Sequence, residues 1–138
     1  MTAYNLEKYM QDLEYLVNID CKAENFAGVN KVADYLAKEF TAPMWHVSRP
    51  DCGPECAKPL MITNTAEEKY DVILCCHMDT VFPDGTVKER PFSVKGDRAY
   101  GPGVSDMKCG CLQGVYVLKA MEASGSLKDL KVCLAFNS

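Results

Sequence analysis

The stretch Tyr70-Asp71-Val72-Ile73-Leu74-Cys75-Cys76-His77-Met78-Asp79-Thr80 decides the fold. Residues 70–76 are nearly continuous in apolar side chains, the pattern of a strand covered on both faces, and such strands belong to parallel sheets. The reading is a central strand of an α/β domain. Polar chemistry begins where the run ends, because His77 and Asp79 follow it directly. The carboxyl ends of strands are where open α/β sheets build their sites.

Working toward the N-terminus, Leu6, Tyr9, Met10, Leu13, Leu16 and Val17 recur at helical spacing, with Asn5 placed to cap the start. Val29, Val32, Ala33, Leu36 and Phe40 predict a second helix after Gly28, which Pro43 keeps from running on. Residues 45–47 and 60–63 read as short strands around a loop, 49–59, rich in Pro, Gly and Cys.

Toward the C-terminus, a long irregular stretch over 77–90 precedes two short segments, 91–95 and 98–100, that flank the hairpin-like Gly96-Asp97. Long loops in compact domains are commonly functional. Met107, Cys111, Val115, Leu118 and Met121 then mark a helix ended by Ser124-Gly125-Ser126, and 130–136 alternates as a strand. Strand, helix, strand implies a right-handed crossover. The expectation is one domain over 1–138: a three-layer αβα arrangement on a mostly parallel sheet, incomplete because it stops on an apolar strand.

Composition narrows the function classes. The 138 residues are 48% hydrophobic and 25% charged, which is the balance of a packed globular domain. A net charge of −4 and the lack of any Lys/Arg run argue against a nucleic-acid partner. No apolar stretch approaches the roughly 20 residues of a membrane helix, and the first twenty residues lack a signal-peptide pattern, so a cytoplasmic location is expected. The eight cysteines are then expected to be reduced thiols. Cys75, Cys76 and Cys133, in strand-like runs, take packing roles. Cys52 and Cys56, in Asp-Cys-Gly-Pro-Glu-Cys, form the one pair whose loop position and spacing suit a metal or a disulfide.

The candidate chemistry lies at His77, Asp79 and Asp106. An imidazole at a strand end is a good zinc ligand, and a nearby carboxylate can hold its other ring nitrogen and fix the tautomer. Asp106 opens the next long helix within Gly101-Pro102-Gly103-Val104-Ser105-Asp106-Met107-Lys108. Its carboxylate is either an ordinary helix-start residue or a ligand that bridges two metals. His46, beside Trp45, reads as a structural or surface residue and is left out of the site.

Taken together, the runs Cys-His-Met-Asp-Thr-Val-Phe-Pro-Asp-Gly-Thr from Cys76, Arg90-Pro91-Phe92, and Gly-Asp-Arg-Ala-Tyr-Gly-Pro-Gly-Val-Ser-Asp-Met-Lys from Gly96 closely resemble the dinuclear zinc peptidases. That family includes carboxypeptidase G, acetylornithine deacetylase, succinyl-diaminopimelate desuccinylase and aminoacylase. The resemblance is strong over 70–110 and fits in order of elements along the chain. It implies that His77 ligates one zinc, that Asp79 is its supporting catalytic carboxylate and that Asp106 bridges two zincs, with cobalt or manganese as substitutes. Cys76 and Cys109 stand where many members have glycine.

It also implies hydrolysis of a peptide or N-acyl amino acid amide bond. The family's acidic Glu-Glu pair, its two remaining ligands and its lid and dimerisation domain would all follow Ser138, so these residues alone are expected to be inactive. The readings from other classes are a non-catalytic interaction or structural module, a nucleotide-binding module at Gly101-Pro102-Gly103, and a small zinc protein using Cys52 and Cys56. Association through an exposed sheet edge is a further expectation.

Overall fold

The structure is a computed structural model that describes residues 5–138. Helix α1 (Leu6–Val17) starts where expected, the Asn5 side chain accepting from the Lys8 amide at 3.0 Å. Helix α2 (Phe26–Ala37) starts earlier than its apolar pattern implied. Asn25 caps it by accepting from the Gly28 amide, so Gly28 lies inside the first turn instead of preceding it.

Strands β1 (His46–Ser48) and β2 (Leu60–Thr63) flank the predicted loop, and β3 (Val72–His77) carries the decisive apolar run. A single turn, α3 (Thr86–Glu89), interrupts the irregular stretch. The hairpin is formed by β4 (Ser93–Lys95) and β5 (Arg98–Tyr100). Helix α4 (Cys109–Ser124) ends at Gly125, and β6 (Val132–Asn137) closes the order.

The four-stranded sheet runs β1-β2-β6-β3. β3 and β6 are parallel and joined through α4, whereas β1–β2 and β2–β6 are antiparallel, so the sheet is mixed within the expected α/β class. One expectation is corrected: β3 is an edge strand among the described residues, not a central one, and β6 occupies the interior. Its apolar sequence is accordingly not covered on both faces. Ile73 is 56% exposed, and Cys75 is also exposed, against the packing role expected of it. An apolar run shows that a strand can be buried on two sides, not which neighbours are present to bury it.

Burial is concentrated on the other face. Leu60, Ile62, Leu134 and Phe136 meet Leu16, Val17, Val29, Val32 and Leu36 of the first two helices and Val115 and Leu118 of α4 in one core. The outward-facing set, Met61, Ile73, Cys75 and Ala135, is held in register by the pairs Met61↔Ala135 and Cys75↔Ala135. The described residues thus supply one helical layer and the sheet of the anticipated three-layer arrangement. Among them, no helix is long and apolar enough to cross a membrane.

Candidate metal centre

His77 is the last residue of β3, opposite Asn137 of β6. Its backbone is fixed from three sides: the Cys111 thiol donates to its carbonyl at 3.0 Å, its amide points at the Met107 sulfur at 3.4 Å, and the next amide, of Met78, donates to Asn137 at 2.8 Å. A hydrogen bond shared with Cys76, together with burial, pushes the Cys111 thiol up and keeps it protonated for that role. The loop beyond is tied to the turn after α1, since Thr80 donates to the Cys21 carbonyl at 2.8 Å and Cys21 donates to that of Met78 at 3.4 Å.

Asp106 reaches the same place from the other side of the pocket. It lies in an irregular turn, Val104–Lys108, before α4 and not in the helix proper, with extended backbone at φ −127° and ψ 96°. That departure from the helix-start expectation lets the carboxylate face His77. Gly103 opens the turn at φ 71°, where a Cβ would stand 2.5 Å from the Thr80 methyl, so both conformation and space require glycine.

The three singled-out residues converge. His77 Nε2 is 2.9 Å from Asp106 Oδ1, and Nδ1 faces Asp79, 3.3 Å from its carboxylate and 3.2 Å from its carbonyl oxygen. Burial lowers the His77 pKa, but the hydrogen bond to Asp106 and the charge of Asp79 outweigh it and hold the imidazole above its usual value. The Asp106 side chain is 88% exposed and the Asp79 side chain 20%, so one carboxylate borders solvent while the other is enclosed behind the ring. A cavity of about 270 Å³ lies over them, walled by Thr80, Phe82, Gly101, Gly103 and Ser105.

Imidazole nitrogen and carboxylate oxygen are donors that suit zinc, and an enclosed carboxylate behind the ring supplies the usual support. The residues therefore fit part of a metal site. Among the described residues, no group of three or more His, Cys, Asp or Glu side chains gathers to hold an ion, so the pair is fewer than the three protein ligands common at catalytic zinc.

One residue under the site escaped the sequence reading. Lys108 is fully buried beneath Gly103, its ammonium donating to the Ile19 carbonyl at 2.8 Å, and burial lowers its pKa. Its position within the Ser-Asp-Met-Lys run was the only available signal, because an isolated lysine normally reads as surface.

The fold and the convergent pair define an α/β domain with a candidate metal-binding pair at a strand end, and comparison with known proteins shows what it is similar to. The sequence model of Peptidase family M20/M25/M40 matches residues 73–138 of this chain. Carboxypeptidase G2 of Pseudomonas sp. (strain RS-16) is 28% identical over 130 residues, covering 94% of this chain and 31% of that protein.

Among solved structures, human carnosine dipeptidase 1 superposes with a TM-score of 0.74 at 16% identity, over 95% of this chain and 31% of that one. A tripeptidase of Staphylococcus aureus gives 0.70 at 20% identity, over 96% and 36%. An M20 family metallo-carboxypeptidase of Sulfolobus solfataricus gives 0.69 at 14%, over 94% and 30%. The structural likenesses establish the fold. The chain spans about a third of the length of these relatives.

Proposed function

We propose that the protein carrying this chain is a zinc-dependent hydrolase of a peptide or N-acyl amino acid amide bond, of carboxypeptidase or deacylase type. The observation that carries the reading is the His77–Asp106 pair, 2.9 Å apart at a strand end, with Asp79 behind the ring. In it, His77 offers Nε2 as a ligand, Asp106 offers a carboxylate able to bridge two ions, and Asp79 accepts a hydrogen bond from Nδ1–H and so keeps the Nε2 lone pair directed outward. Zinc bound there would polarise the scissile carbonyl and acidify a water. Thr80 and Phe82 bound the cavity in which the amide would lie.

The same reading assigns weak metal binding and no useful turnover to these 138 residues alone, since they offer two candidate ligands. It is tested by metal analysis and amide hydrolysis with the full-length protein and its His77→Ala and Asp106→Asn variants. Expected is loss of bound zinc and at least a hundredfold loss of turnover, with hydrolysis absent from the 138-residue chain. Unchanged zinc and activity in His77→Ala would overturn the assignment. The exposed Ile73 and Cys75 on the outer face favour a second reading, a non-catalytic module that associates through the β3 edge. That reading expects no metal-dependent hydrolysis and a concentration-dependent increase in mass by light scattering.

A further inference from the structure

The loop between β1 and β2 holds a pair of thiols that the metal centre does not use. Cys52 and Cys56 lie in Asp51-Cys52-Gly53-Pro54-Glu55-Cys56, with Cys52 exposed and Cys56 half-buried. Their sulfurs are 2.6 Å apart, well inside the roughly 3.5–4.0 Å at which unbonded heavy atoms pack. The Cys56 thiol also donates to the Cys52 carbonyl at 3.3 Å, folding the side chain back over the turn.

This approach is built in by the rest of the loop. Arg49 closes its base, with Nε donating to the Pro59 carbonyl at 3.1 Å and Nη2 donating to the Lys58 carbonyl at 2.9 Å. The same guanidinium pins the loop to α2, where Nη2 reaches Asn30 at 2.5 Å and Nη1 lies 3.3 Å from Asp34. The Asp51 carboxylate accepts from the Gly53 amide at 3.3 Å and shapes the turn itself. Much of the chain entropy that ring closure would otherwise remove is therefore already lost in the folded loop.

We propose that Cys52 and Cys56 are a reversible dithiol–disulfide pair, oxidised by small, uncharged disulfides. In the first step the Cys52 sulfur, as thiolate, attacks one sulfur of the small disulfide. The S–S bond of that molecule breaks and one small thiolate leaves, taking a proton from solvent. In the second step the Cys56 sulfur, having given its proton to solvent, attacks Cys52 and releases the second small thiol. Two cysteine sulfurs are oxidised, the small disulfide is reduced to two thiols, and a strong dithiol reverses both steps.

The roles follow from the surroundings. The hydrogen bond with Cys52, then burial and the charges of Asp51 and Glu55, push the Cys56 thiol up, leaving the exposed Cys52 as the attacking sulfur. Two carboxylates beside the pair also repel an anionic disulfide, so an uncharged one is the better oxidant.

The loop that carries the pair joins the sheet at the end where the candidate metal centre lies. Leu60, where the loop enters β2, is opposite Phe136, which is opposite Cys76, the neighbour of His77. Leu60 is thus two strand spacings, about 10 Å, from Cys76.

The test equilibrates the reduced full chain with bis(2-hydroxyethyl) disulfide, quenches with N-ethylmaleimide and maps the cysteines by mass spectrometry. Expected is the loss of two alkylatable thiols, recovered on treatment with dithiothreitol, with the linkage joining Cys52 to Cys56. The Cys56→Ser chain should hold a mercaptoethanol adduct on Cys52, and oxidised glutathione should act at least several-fold more slowly on the parent chain. The proposal is overturned if both cysteines stay fully alkylated at equilibrium. Pairing of either with another cysteine, or a bridge between chains, also overturns it. None of these outcomes depends on hydrolase activity.

Discussion

Replacing Gly28 by alanine tests how the start of α2 is packed. A Cβ at this position would stand 1.9 Å from the Asp20 carbonyl oxygen and 3.0 Å from its carbon. Both partners are backbone, so no side-chain rotation relieves the clash. The Asp20 segment is itself held, because its carboxylate accepts from the Gly85 amide at 2.7 Å and the Val87 amide at 3.2 Å.

Alanine gains about 1 kcal/mol over glycine in a helix interior. Overpacking costs about 1–3 kcal/mol when side chains can shift and more when they cannot. The expected net loss is about 2 kcal/mol or more, a fall in Tm of about 7 °C or more for a domain of this size. Gly114→Ala is the control, since its Cβ would meet Leu134 Cδ1 at 2.9 Å, the end of a flexible side chain. Paired urea and thermal melts of the two variants decide the matter. If Gly28→Ala equals the parent in stability, or loses less than Gly114→Ala, the backbone contact does not govern this junction.

Asp12 is buried and accepts from Tyr35 at 2.6 Å, from Tyr116 at 2.8 Å and from Lys8. Burial raises its pKa, but these hydrogen bonds outweigh it and hold the folded value below the ordinary 3.8. Its stabilisation is therefore full above that ordinary value and lost as pH falls through the lower folded one. Asp12→Asn should cost about 2 kcal/mol near neutral pH in urea melts, with the gap to the parent narrowing as acid is added; a gap that widens would contradict the network. Asn5→Ala should lower stability by about 1 kcal/mol through the lost cap, read as a reduced urea midpoint at unchanged slope. Asp79→Asn in the full-length protein should weaken zinc binding by about 10–100-fold by competition with a chelator, and equal affinity would remove its supporting role.

What the sequence disclosed follows from how local each signal is. Helix α1 could be placed because its apolar stripe and Asn5 cap are both local, and β2 because turn residues bound it. The start of α2 was misplaced because Gly28 looks like a boundary, whereas its lack of a side chain serves a contact with Asp20. The edge position of β3 depends on which strands lie beside it, and no periodicity within residues 70–76 encodes that. At the candidate site, the sequence singled out His77 and Asp79 from their place after the strand and Asp106 from its motif, and the structure brings the three together. The extended backbone at Asp106 and the burial of Lys108 arise from tertiary contacts with β3 and the turn after α1, so neither has a local signature.

The pairing of β3 with β6 also sets an order of events during synthesis. The two strands join partners far apart in the chain, as in the Lys131 amide donating to Asp71 across 60 residues. At about 5–20 residues per second, translation takes about 3–12 s to traverse that interval. Until β6 has emerged, the Asn137 carbonyl that anchors Met78 does not exist, and the imidazole of His77 sits at the end of an unpaired strand. The nascent chain therefore carries β3 without its partner strand for seconds, an interval in which its apolar run is open to chaperone binding.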